Sequence, residues 1–111
     1  MKRITAKFFK SETGVEPARD WLRGLSRDDR KVIGTDIASV EFGWPIGLPV
    51  SRPLGRGLYE VRSNLDRNRI ARMLFTIVDD EMVLLHGFIK KSRKTPKADL
   101  NLARVRKAKI K

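Results

Sequence analysis

The chain has no cysteine. Disulfides, thiolate nucleophiles and cysteine-based zinc sites are therefore excluded. It has one histidine, His86, which excludes a histidine-rich metal site, and no cofactor is expected. No apolar segment approaches the roughly 20 residues that a membrane span requires. The basic start, Met1-Lys2-Arg3-Ile4, is not followed by an apolar core of signal-peptide length. The expected location is the cytoplasm. No repeat, low-complexity tract or linker interrupts the 111 residues, so one domain spanning 1–111 is expected. Acids are also scarce: 13 Asp and Glu stand against 25 Lys and Arg, a formal net charge of +12.

What is present divides unevenly. Residues 1–51 carry nine Lys/Arg and seven Asp/Glu, a net of +2; residues 52–111 carry sixteen and six, a net of +10. Such polarity predicts one basic surface rather than a uniform coat, and a polyanion or an acidic protein as partner. With 41% hydrophobic residues, including two Trp and five Phe, the chain can still build a core.

The pattern predicts an α+β fold. Ile4 to Phe9 alternates as a first short strand. Pro17 starts a helix to Leu25, with Ala18, Trp21, Leu22 and Leu25 at i, i+3, i+4 and i+7. Ser26 and Asp29 resemble a capping box for a second helix. Its inner positions are Ile33, Ile37, Val40 and Trp44, while Asp28, Asp29, Arg30 and Asp36 fall mostly on the other face, and Pro45 ends it. The two helices form a hairpin over one face of a small, mostly antiparallel sheet. Gly47 to Gly57, rich in Gly, Pro and Arg, is expected to be a loop. Strands follow at Leu58 to Arg62, Arg69 to Val78 and Met82 to Ile89. The last two are apolar on both faces and should be central. Thr95 can cap, and Pro96 can open, a short basic C-terminal helix to about Lys109. Its thin apolar side is Ala98, Leu102 and Val105.

The chemistry concentrates on the later strands. Alternation groups Arg62 with Leu58 and Glu60, Arg72 with Ile70 and Leu74, and His86 with Leu84, Phe88 and Lys90. With strands in register, Arg62, Arg72 and His86 or Lys90 line one face. Arg72 interrupts an apolar run, and a charge there costs several kcal/mol unless paired or solvent-lined. It either pairs with an acid such as Glu60 or faces an open groove. After Phe88 the chain delivers Lys90, Lys91, Arg93, Lys94 and Lys97 within a few residues of a buried strand. That cluster suits RNA phosphates or an acidic protein. Gly55 and Gly57 read as turn residues, and Arg56 between them could reach a backbone phosphate. RNA can be cut without metal when its 2′-OH attacks the adjacent phosphorus. The step needs a proton acceptor, a proton donor and cationic support for the phosphate. Arginines suit the last role. His86, a lysine among Lys90, Lys91 and Lys94, or less readily Tyr59, suits the proton roles. Against the catalytic role, a lone histidine between Leu85 and Gly87 in an apolar strand is often just a satisfied core residue.

Three stretches carry a family resemblance: Leu54-Gly55-Arg56-Gly57-Leu58-Tyr59-Glu60-Val61-Arg62, then the strand arginine Arg72, then Leu84-Leu85-His86-Gly87-Phe88-Ile89-Lys90-Lys91-Ser92-Arg93-Lys94-Thr95-Pro96. In order and spacing they resemble the phage-derived HigB-like branch of the RelE/ParE toxin superfamily. Val61 and Ser92 stand where that branch often has Leu and Thr. The resemblance implies a RelE-like fold and a type II toxin that cuts mRNA at the ribosomal A site without metal. It implies a cognate antitoxin, usually a helix-turn-helix DNA-binding protein, as partner. Arg62, Arg72, Lys90, Lys91 and Lys94 would be phosphate and transition-state contacts, and Tyr59 and His86 orienting or proton-transfer groups. The competing readings are a ParE-like inhibitor of DNA gyrase and a catalytically inactive RNA-binding module, because one fold serves all three.

Overall fold

The computed structural model describes residues 1–90 and 94–110. In chain order the elements are β1 (Thr5–Phe8), α1 (Pro17–Arg23), α2 (Arg27–Gly43), β2 (Ser51–Gly55), β3 (Leu58–Asn64), β4 (Ile70–Val78), β5 (Glu81–Lys90) and α3 (Lys97–Ala108). The five strands form one sheet in the order β1-β5-β4-β3-β2. Only β1 runs parallel, against β5; the other pairs are antiparallel. The α+β class and the central places of β4 and β5 agree with the sequence pattern. Among the described residues no helix is long and apolar enough to cross a membrane.

Both faces of the sheet are covered, which is why β4 is apolar on both. Helices α1 and α2 cover one face, where Ile33, Ile37 and Val40 meet Val61, Met73 and Phe75. Helix α3 lies on the other, where Ala103 meets Leu58, Leu74, Leu85 and Phe88. The α1 hairpin sits close to the sheet because β5 offers a glycine there. A Cβ at Gly87 would lie 2.3 Å from the Trp21 ring. The Ser26 cap forms as expected, its Oγ accepting from the Asp29 N–H at 3.2 Å.

Four local expectations are corrected. The Gly47–Gly57 loop contains a strand, β2. Its sequence Ser-Arg-Pro-Leu-Gly lacks β-branched alternation, and Pro53 fits only because β2 is an edge. Asp29 is not on the solvent side of α2. It is buried and accepts a two-pronged bond from Arg69, Nη1 to Oδ2 at 2.8 Å and Nη2 to Oδ1 at 2.9 Å. Helix α3 does not dock through Ala98, Leu102 and Val105, which are exposed. It docks through Ala103, fully buried, with Leu100 packed nearby. Thr95 makes no cap bond; Pro96 holds the cap position, and the Thr95 hydroxyl turns to the sheet instead.

Candidate functional site

Register decides which side chains meet. Arg62 lies opposite Arg72, and Arg72 opposite Phe88. One row along, Arg52, Glu60, Leu74 and His86 follow one another across β2, β3, β4 and β5. All of these belong to the α3 face. The two expected arginines and His86 therefore do share a face. His86 reaches it by a device the alternation did not reveal. Leu74 pairs with His86 but Phe75 pairs with Leu84, so Leu85 is an extra residue in β5. A one-residue insertion inverts the side-chain parity of everything beyond it. Leu84 stays with the α1/α2 core, while His86 and Phe88 move to the α3 face.

The centre of the face is a carboxylate among guanidiniums. Glu60 is fully buried. Arg52 Nε donates to its Oε2 at 2.6 Å, and Arg72 Nη1 lies 3.5 Å from its Oε1. The Thr95 hydroxyl donates to Oε1 at 3.2 Å and accepts from Arg52 Nη2 at 3.4 Å. One acid thus ties β2, β4 and the start of α3 together. Arg72 is 0% exposed. Of its two expected fates the structure selects the ion pair with Glu60. Burial pulls the Arg72 guanidinium below its ordinary value, Glu60 opposes the fall, and Arg62 and Arg52 add to it. Arg62 is half-buried, and its Nε, buried, has no hydrogen-bond partner among the described residues.

His86 is held from α3. Its Nε2 lies 2.7 Å from Asp99 Oδ1, and Arg106 Nη1 lies 3.4 Å from Nδ1 while donating to the Leu85 carbonyl at 2.8 Å. An arginine N–H can only donate. Nδ1 therefore accepts, and Nε2 carries the proton shared with Asp99. Both ring nitrogens are engaged, and the ring stacks on Phe88 at 5.5 Å. Burial alone lowers the Arg106 pKa from its ordinary value.

The remaining expected site residues are dispersed. Tyr59 points to the opposite, α1/α2 face, beside Trp44 and Phe75, and does not join the arginines. Arg56 is exposed at the β2–β3 turn with φ 55°, six residues before Arg62, and the strand run from Leu58 to Arg62 alone spans about 13 Å. Lys94 and Lys97 are exposed before and at the start of α3. Of Lys90 only the strand backbone, paired with Ile70, is described. Lys91 and Arg93 lie outside the described residues. Sequence reasoning missed Arg52, Asp99 and Arg106. Asp99 had a signal: it is the only acid after Glu81.

No curated protein matches the chain. The family described as "Phage derived protein Gp49-like (DUF891)" matches residues 20–108, from α1 through the end of α3. The match spans the basic face, the bulge that turns His86 and the helix that holds it, and on this extent the chain belongs to the phage-derived Gp49-like family, whose members are related to RelE-type toxins.

Proposed function

We propose that the chain is the toxin of a type II toxin-antitoxin system, of the HigB-like branch, acting as a ribosome-dependent mRNA endoribonuclease. The observation that carries this reading is the triplet Arg52, Arg62 and Arg72 around the single carboxylate of Glu60, a local net of +2, with His86 in the adjoining row. A phosphate passing through a five-coordinate state gains negative charge, and preorganised guanidiniums stabilise that gain. Arg62, half-buried where Arg72 is fully buried, is the arginine of the opposed pair that solvent reaches, so it is the phosphate contact. Arg72, fully buried behind it, supplies field and holds Glu60. The 2′-oxygen forms its bond to phosphorus as the bond to the 5′-oxygen breaks. The 2′ proton passes to a base and a proton is delivered to the leaving oxygen, giving a cyclic phosphate and a 5′-hydroxyl. His86 can take part only when Asp99 or Arg106 releases a ring nitrogen, which requires α3 to shift. Lys90, Lys91 and Lys94 remain the other proton carriers. An antitoxin with acidic side chains would neutralise the same basic face.

The burial of Arg72 and the double engagement of His86 favour one other reading, inhibition of gyrase by protein contact alone. Mapping mRNA ends in a reconstituted translation reaction, with and without ribosomes, separates the two. Cuts that require ribosomes support the proposal. Cuts without ribosomes would mean a free ribonuclease. No cuts in either, with gyrase-linked DNA breaks in cells, would overturn it.

A further inference from the structure

Helix α3 has two flanks of different chemistry. On the β5 flank, Asp99 and Arg106 fix it to His86 and to the Leu85 carbonyl. On the opposite flank, Lys97, Leu100, Arg104 and Lys107 recur at i, i+3, i+7 and i+10 and face the β2–β3 hairpin. Lys107 shows this facing directly. A Cβ on Gly57, in the hairpin turn, would lie 3.2 Å from its Cε and 3.6 Å from its Nζ. Glycine at position 57 therefore lets the lysine lie against the turn, beside the exposed Arg56. The Thr76 hydroxyl fixes that turn by donating to the Gly57 carbonyl at 2.7 Å. Where α3 starts, the Thr95 hydroxyl reaches Glu60 at 3.2 Å, so this end of the flank adjoins the arginine cluster. Arg62, Lys97, Arg104, Lys107 and Arg56 thus follow one seam between helix and hairpin. From Arg62 back to Gly57 the extended chain covers about 17 Å.

None of these five cations is ion-paired among the described residues. The acids of β2, β3 and α3 are Glu60 and Asp99, and both are engaged elsewhere, Glu60 by Arg52 and Arg72 and Asp99 by His86. The Nε atoms of Arg62 and Arg104 are buried with no hydrogen-bond partner among the described residues. A file of like charges repels itself and adds nothing to the stability of the compact state. We propose that the seam is a track for the backbone of single-stranded RNA, leading from the phosphate at Arg62 to the hairpin turn. The proposal rests on the RNA reading above and adds to it the path of the strand, with Arg104 and Lys107 as contacts. A stacked strand carries one charge per roughly 3.4 Å, so about 17 Å takes up to about five phosphates, one for each cation. An acidic protein fits less well. Protein interfaces depend on buried aromatic or apolar anchors, and the exposed large apolar residues of α3, Leu102 and Val105, turn away from the seam.

The test is the salt dependence of binding to an end-labelled 2′-O-methyl uridylate octamer, which lacks the attacking hydroxyl and stays intact, read by anisotropy. The slope of log affinity against log salt counts phosphate contacts at about −0.7 each, so wild type should give about −3.5. Arg104→Gln and Lys107→Gln should each flatten the slope by about 0.7 and weaken binding roughly five- to tenfold at low salt. Lys31→Gln, on the exposed side of α2, removes the same charge elsewhere and should leave the slope unchanged. If Arg104→Gln and Lys107→Gln behave like Lys31→Gln while Arg62→Ala weakens binding, the track is overturned and the phosphate role of Arg62 stands. If wild type does not bind the octamer, or Arg62→Ala binds it as wild type does, both are overturned. Binding of an octaglutamate peptide that Arg104→Gln and Lys107→Gln weaken, with no binding of the uridylate, would overturn the track in favour of an acidic protein. A wild-type slope shallower than about −1.4, two contacts, would overturn it without any variant, so the test holds even if a variant does not fold.

Discussion

Glu60→Gln is the perturbation with the largest consequence for this architecture. The substitution keeps shape and leaves Arg52, Arg62 and Arg72 with no acid between them. Arg72 Nη1 and Arg52 Nε lie 3.5 and 2.6 Å from the two carboxylate oxygens. At an effective dielectric near 20 each contact is a gross attraction of roughly 5 kcal/mol. Desolvation offsets much of that, and breaking such a buried pair from one side costs about 3–5 kcal/mol. Against a total stability of roughly 5–15 kcal/mol this is a large fraction. It should lower Tm by roughly 10–25 °C. The assay is urea and thermal unfolding of wild type and Glu60→Gln. Two controls locate the cause. Glu60→Gln combined with Arg72→Met should recover about half of the loss, because a buried pair replaced on both sides is nearly neutral. Added inorganic phosphate should stabilise Glu60→Gln more than wild type, since an anion would bind the folded cluster and not the unfolded chain. A loss below about 1 kcal/mol, the value of a surface pair, would refute the claim that this carboxylate holds the cluster together.

Gly87→Ala should destabilise by about 1–3 kcal/mol, because its Cβ would meet Trp21 at 2.3 Å. Combining it with Trp21→Leu should be less than additive by denaturant unfolding, and strict additivity would contradict the contact. Arg62→Ala should abolish toxicity in cells while unfolding midpoints move by less than about 1 kcal/mol. It is a cleaner probe than Arg72→Ala, expected to abolish toxicity too, since Arg72 is ion-paired inside the fold. The hydrogen bond from Arg69, against desolvation, holds Asp29 below its ordinary 3.8. A depressed carboxylate stabilises above its unfolded value and loses that contribution as pH falls through the folded one. Wild type should therefore lose stability from about pH 4 downward more steeply than Asp29→Asn, measured by urea midpoints. Parallel pH profiles would count against the Asp29–Arg69 bond.

Much of the fold was legible because its signals are local. The helical spacing of Ile33, Ile37 and Val40, the cap at Ser26 and the two-faced apolar runs of β4 and β5 each depend on residues within a turn or two of one another. Strand β2 was illegible because Arg52, Pro53 and Gly55 carry no strand propensity of their own. Its pairing with β3 supplies what the segment lacks. The orientation of α3 was misread for a related reason. The visible apolar stripe, Ala98, Leu102 and Val105, is weak. Asp99 on His86 and Arg106 on the Leu85 carbonyl turn the helix by polar anchoring. Of the site, the shared face of Arg62 and Arg72 followed from alternation. Tyr59 fell to the other face by the same rule.

Legible without the fold were the order of every element but β2, the concentration of charge after residue 51, the α+β class and the family resemblance. These rest on composition and on short-range periodicity, which the chain carries whether or not it is folded. Folding is what lets Glu60 take Arg52 and Arg72 together, lets a bulge at Leu85 turn His86 toward Asp99, and lets Trp44 and Tyr59 frame an open slot. Each of those depends on the register between segments far apart in the chain. Register is fixed by which packing of both sheet faces buries the most apolar surface while leaving the fewest charges unpaired, and no local stretch encodes that balance.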